Sequence, residues 1–157
     1  MQLNESSLSL PIFHVCDCDL LDINLWIALS IPTHVHHRSA EIYWNSLRAP
    51  EIAFCSVTML GMLRLLSNPR IVVGSPLTPE EAWSIYSGFA QLPEARFLHD
   101  NPAVLALLRL FHQATPISQH KWTDAWIAAH AHCAGARVVS FDSDFTAFPG
   151  LRFRHLT

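Results

Sequence analysis

Apolar runs that end in an acid set the limits on how this chain can fold. Asp22 closes C-D-L-L-D ahead of I-N-L-W, and Asp142 and Asp144 follow V-V-S-F. Asp124 opens the helical stretch W-T-D-A-W-I-A-A-H-A. A parallel α/β sheet brings the carboxyl ends of its strands to one edge, so acids this far apart in sequence can meet there. Carboxylates gathered in one crevice repel each other unless a cation or shared protons neutralise them. A divalent ion is the usual reason to keep such a cluster, and Mg²⁺ or Mn²⁺ favours oxygen ligands of this kind.

The rest of the chain alternates in the way that such a sheet requires. A short buried strand at Cys18–Asp22 leads into the helix I-N-L-W-I-A-L-S, which Pro32 ends, and a second helix runs from Thr33 to about Leu47. Ile52–Val57 has the composition of a buried strand; the helix M-L-G-M-L-R-L-L follows and stops at S-N-P, Ser67–Pro69. T-P-E-E at Thr78–Glu81 starts another helix, with Thr78 as N-cap, Pro79 at the first helical position and Glu81 completing a capping box. A third strand is expected at Ala95–Leu98 and a helix from Pro102 to about His112. The late helix Trp122–Ala134 ends at Gly135, a normal C-terminal stop. R-V-V-S-F then reads as a buried strand, Asp142–Phe148 as a short turn or helix, and Leu151–His155 as a last strand. Alternation of this kind predicts a single α/β domain over 18–157, a parallel doubly wound sheet flanked by helices. Residues 1–17 read as an N-terminal extension.

At 157 residues the chain can bury one sizeable core. Half of its residues are hydrophobic and 15% are charged, which suits a buried globular domain. A mean hydropathy of +0.22 points to a further apolar surface covered by a second copy or a partner. The apolar stretches are short and interrupted, so no membrane span is expected. The N-terminus carries an acid and no basic n-region, which argues against a signal peptide. Cys16, Cys18, Cys55 and Cys133 form no C-x-x-C pair and read as reduced thiols of a cytoplasmic protein. The formal charge of −3 argues against broad nucleic-acid binding, but not against a nuclease with a local basic rim.

The pieces L-L-D-I-N-L-W-I-A-L, W-T-D-A-W-I-A-A-H-A and V-V-S-F-D-S-D-F followed by P-G-L occur in an order and spacing that resemble the PIN-domain ribonucleases. Within them the likeness is to the VapC-like toxins of bacterial toxin–antitoxin pairs. T-M-L-G-M-L-R-L-L-S-N-P resembles a toxin subgroup with T-x-x-G-x-x-R before S-N-P. The resemblance covers roughly residues 19–157. It implies a small PIN-like α/β fold, metal-dependent cleavage of RNA at an acidic pocket, a homodimer, and inhibition by a cognate VapB-like antitoxin. Transferred by position, Asp22, Asp124 and Asp142 are the catalytic, metal-binding acids, and Asp144 is an auxiliary ligand. Asn24 and Thr123 match polar positions flanking the pocket, where RNA would lie. Many members carry a glutamate on the helix after the second strand; here that position is Gly61.

These acids suit metal-assisted phosphodiester hydrolysis. Lys121, with His120 beside it, and Arg64 are candidates to touch RNA phosphate at the rim. Each residue also has a plainer reading. Asp142 can cap a turn and Asp124 can offset its helix N-terminus, Asp17 and Asp19 read as solvated or turn residues, and Glu80 and Glu81 belong to helix capping. Asp100 could replace the absent glutamate, but it is expected one strand from the centre. His34, His36, His37, His130 and His132 lack zinc-finger spacing and read as surface residues. Trp26, Trp122 and Trp126 read as core or interface. Two other functions compete. C-D-C-D-L-L mimics the D-x-D of haloacid-dehalogenase-like phosphatases, with Asp17 as nucleophile and Asp19 as acid. A PIN-like domain short of one acid could also be a catalytically weak binding module.

Overall fold

The computed structural model describes residues 15–72 and 76–157. Its strands are β1 (Cys18–Leu21), β2 (Glu51–Cys55), β3 (Ala95–Leu98), β4 (Arg137–Ser140) and β5 (Phe153–His155). They pair in the order β3-β2-β1-β4-β5, and every pairing is parallel. The helices are α1 (Ile23–Ser30), α2 (His37–Ser46), α3 (Ser56–Leu66), α4 (Pro79–Ala90), α5 (Pro102–Ala114) and α6 (Trp122–Ala134). This is the doubly wound α/β sheet that the sequence implies. Residues 1–14 of the expected extension lie outside the described residues; Cys16 is tied to the domain by its N–H to the Gly135 carbonyl, 3.0 Å.

Strand alternation divides the core between the two faces of the sheet. Leu21, Ile52, Phe54 and Val139 pack under α1 to α4, where Trp26 stacks on Phe54 at a ring separation of 4.0 Å. Leu20, Ala53, Cys55 and Val138 face the opposite way, against Val104, Leu107 and Phe111 of α5 and Ile127 and Ala128 of α6. Gly135 ends α6 in the left-handed region, with φ 66°, which a residue without Cβ adopts freely.

Three expectations need correction. The second helix starts at His37, not Thr33, because residues 31–37 are taken up by consecutive turns (His34 N–H to Ile31, His37 N–H to His34). β2 ends at Cys55, and Ser56 and Val57 already belong to α3, where the Cys55 N–H donates to Thr58 Oγ1 at 2.9 Å. Asp19 is neither solvated nor in a turn. It is fully buried on β1, held by Arg137 Nε at 2.7 Å and Nη2 at 2.8 Å, the Tyr43 hydroxyl at 2.6 Å and the Ala49 N–H at 2.9 Å. A buried carboxylate needs that full set of donors.

Candidate active site

The strand order reverses between β1 and β4. A crevice therefore opens at their carboxyl ends, where ligands of open α/β sheets bind. Asp22 stands at the end of β1 as the N-cap of α1 and accepts from the Ile23 N–H at 2.7 Å. Asp142 lies just past β4, caps the 3-10 turn Ser143–Ala147, and accepts from the Asp144 N–H at 2.9 Å. Asp124 sits in the first turn of α6. Three helical N-termini thus point their partial positive charge at the same acids. The turn-capping role foreseen for Asp142 and the place foreseen for Asp124 at its helix N-terminus coexist with the cluster.

Lys121 holds the cluster together. Its Nζ lies 3.0 Å from Asp124 Oδ2, 3.3 Å from Asp142 Oδ2 and 2.5 Å from Asp144 Oδ2. Sequence reasoning set this lysine at the rim; it occupies the centre. Three carboxylates hold its ammonium well above the ordinary lysine pKa, with Asp144 the strongest influence. Asp22 lies deeper. Burial pushes its carboxyl up to about 6; hydrogen bonds from Ser140 and Ile23 pull the other way, and the charges of Asp124 and Asp142 add to the rise. Burial also raises Asp124, against the pull of Lys121.

Ser140 escaped the sequence reading. Its hydroxyl donates to Asp22 Oδ2 at 2.6 Å and accepts from the Asp142 N–H at 2.9 Å, so one side chain ties the two strand ends together. Asn24 Nδ2 donates to Ser140 Oγ at 2.9 Å, and Asn24 Oδ1 accepts from the Phe141 N–H at 3.3 Å. The available signal was a polar residue closing the otherwise apolar run V-V-S-F. Thr123 is exposed beside the cluster. Arg64 is exposed in the last turn of α3, roughly 12 Å along the helix axis from its start.

Among the described residues, no carboxylate takes the place of the absent glutamate at Gly61. A Cβ there would lie 2.3 Å from Ile23 Cδ1, so an apolar side chain fills the space. Asp100 follows β3, two strands from β1 rather than one, and pairs with Ser56 Oγ at 3.1 Å. His130 Nε2 lies 3.0 Å from the same Asp100 oxygen. His130 is buried, not a surface residue, and burial lowers its pKa. Trp26 is core as expected, whereas Trp122 is substantially exposed.

Hard carboxylate oxygens converging on a cation match the donor chemistry of Mg²⁺ or Mn²⁺. Among the described residues, however, no three His, Cys, Asp or Glu side chains are set to hold one ion without adjustment. The ammonium of Lys121 stands in for the cation, and a metal would have to replace it. The phosphatase reading fails on geometry: Asp17 is exposed ahead of β1 and Asp19 is locked in its ion pair, so neither reaches the carboxyl edge.

The model of the PIN domain matches residues 20–151. The chain belongs to the PIN-domain family. Its relatives include ribonuclease VapC41 of Mycobacterium tuberculosis, 36% identical over 87% of this chain and 97% of the relative. Ribonuclease VapC39 of the same organism is 31% identical over 79% and 88%. The PIN fold here also superposes on that of M. tuberculosis VapC20, a sarcin–ricin loop cleaving toxin, with a TM-score of 0.65 and 18% identity over 82% of this chain and 93% of that one. For the VapBC2 complex of Rickettsia felis, bound to a promoter DNA fragment, the TM-score is 0.61 and the identity 16%, over 89% and 99%. Among the described residues of this PIN domain, no helix is long and apolar enough to cross a membrane.

Proposed function

We propose that this PIN domain is a VapC-type toxin, a cytoplasmic endoribonuclease that hydrolyses phosphodiester bonds in structured RNA, transfer or ribosomal, with a divalent metal. The observation that carries it is the convergence of Asp124, Asp142 and Asp144 on one cation, with Asp22 behind them at the switch point of the sheet. Relatives named ribonucleases, and the structural likeness to a sarcin–ricin loop cleaving toxin, support the same activity. Asp22, Asp124 and Asp142 would hold Mg²⁺ or Mn²⁺, with Asp144 alongside. When bound, such an ion acidifies water and offsets charge building on phosphate oxygens.

The chain's own residues do the remaining work. Ser140 and Asn24 fix the Asp22 carboxylate, and the Asp142 N–H fixes Ser140 in turn, so the two strand ends keep their spacing. Asp124 orients water on the solvent side. Lys121, once displaced from the carboxylates, is close enough to meet a phosphate oxygen; Thr123 flanks it, and Arg64 would meet the RNA backbone farther out. The acidic crevice also suits a cationic side chain of a VapB-like antitoxin, and structures of VapBC complexes in this fold support that partner; the chain itself would pair as a homodimer. Asp22→Asn should abolish cleavage of a transfer-RNA pool while the melting transition stays cooperative. Cleavage retained in that variant would remove Asp22 from the site.

A further inference from the structure

A second concavity opens beside the acid cluster, between the end of α5, residues 115–121 and the 3-10 turn. Its volume is about 270 Å³. Ile117 and Phe148, both partly exposed, form its walls, and the buried Phe111 backs them, its ring 5.3 Å from that of Phe148 and tilted by 52°. Ser118 and Thr146 also line it; the Thr146 hydroxyl donates to the Ser143 carbonyl at 2.8 Å and keeps its lone pairs for accepting. The segment that closes it is pinned, since the Ile117 N–H donates to His112 Nδ1 at 3.0 Å and the Lys121 N–H to the Ser118 carbonyl at 3.0 Å. Lys121 and Asp144 belong both to its lining and to the acid cluster, so the two sites share one mouth.

We propose that this cavity is a base-binding subsite, which takes one unstacked nucleobase of the substrate RNA next to the phosphodiester at the acids. It rests on the ribonuclease function proposed above. The volume falls just under the roughly 300–1,000 Å³ of pockets for drug-sized ligands, as expected for a single flat ring system. Proteins that read RNA loops splay bases out and seat them against aromatic side chains, with polar groups for the base edges. Phe148 supplies the first, and Ser118 with the accepting lone pairs of Thr146 the second. A phosphate at Lys121 brings the base of the same or the adjoining nucleotide within reach of this mouth. The subsite would give the toxin a sequence preference that the acids alone cannot.

The test is binding without turnover. Each nucleoside 5′-monophosphate, and ribose 5-phosphate as the base-free control, is titrated into the intact protein while the Ile117 methyl signals are followed by NMR. At least one nucleotide should move those signals and bind tenfold or more tightly than ribose 5-phosphate. Ala147→Trp and Thr115→Trp, at exposed positions lining the cavity, should each weaken that binding at least tenfold with an unchanged melting temperature. Equal affinity with and without the base in the wild-type chain overturns the subsite, whether or not the variants fold. So does wild-type nucleotide affinity in the folded tryptophan variants. An Ala147→Trp chain that cleaves RNA fully but no longer retains its co-expressed antitoxin would assign the cavity to that partner, again overturning the proposal. Base binding by a chain that cleaves no RNA upholds the subsite and counts instead against the nuclease activity.

Discussion

Burial at the end of β1 sets the Asp22 carboxyl at about 6 against an ordinary 3.8. The folded chain therefore holds a proton that the unfolded chain has released between these values, and stability falls as pH rises through that window. Asn removes the penalty. In metal-free protein at pH 7.5, Asp22→Asn should be the more stable by on the order of 1–3 kcal/mol. The gain should shrink toward pH 4, as unfolding at a series of pH values would reveal; a gain independent of pH would mean that the charge is not its source. Lys121 makes the complementary case. Its ammonium competes with any metal for three carboxylates, so Lys121→Met should tighten Mn²⁺ binding about tenfold or more, read by calorimetry. Weaker binding in that variant would show that the lysine supports the ion instead of opposing it. The sequence made the four aspartates legible because each interrupts an apolar pattern. It did not reveal Ser140 or the central place of Lys121, whose roles depend on partners far along the chain or across the crevice.

At the scale of elements, helix chemistry was readable where it is local. Thr78 and Glu81 form the capping box expected of T-P-E-E, and Gly135 ends α6. Boundaries set by tertiary contact were not readable, as at Thr33 and Val57, since turns and capping there depend on a few hydrogen bonds. Gly61 lies between these cases. Its residue type marked a departure from the family, but its use is close packing: α3 approaches α1 so nearly that Ile23 takes the space of a side chain. Gly61→Ala should destabilise by about 1–3 kcal/mol through overpacking. Pairing it with Ile23→Ala should recover much of that loss in urea unfolding, because residues in contact do not add independently. Strict additivity would place the strain elsewhere.

For the whole molecule, strand–helix alternation sufficed to predict the parallel sheet, and the topology explains why remote acids meet. The sequence pointed to Asp22 within C-D-C-D-L-L-D, but it could not say that Asp19 is buried and bound into the framework. Asp19 and Asp22 flank the same apolar run, and the difference lies in Arg137, which pairs with Asp19 from the neighbouring strand 118 positions away. One acid was thereby assigned to the framework and the other to the site. The central claim, that the acids at the carboxyl edge form a metal-dependent ribonuclease centre, is tested most directly by incubating purified protein with total transfer RNA and ribosomal RNA. The incubations would contain Mg²⁺, Mn²⁺ or chelator, with Asp124→Asn in parallel. Discrete fragments that require metal and vanish in the folded variant are the expected result. Fragments that persist in chelator or in Asp124→Asn, or intact RNA in every lane, would contradict it.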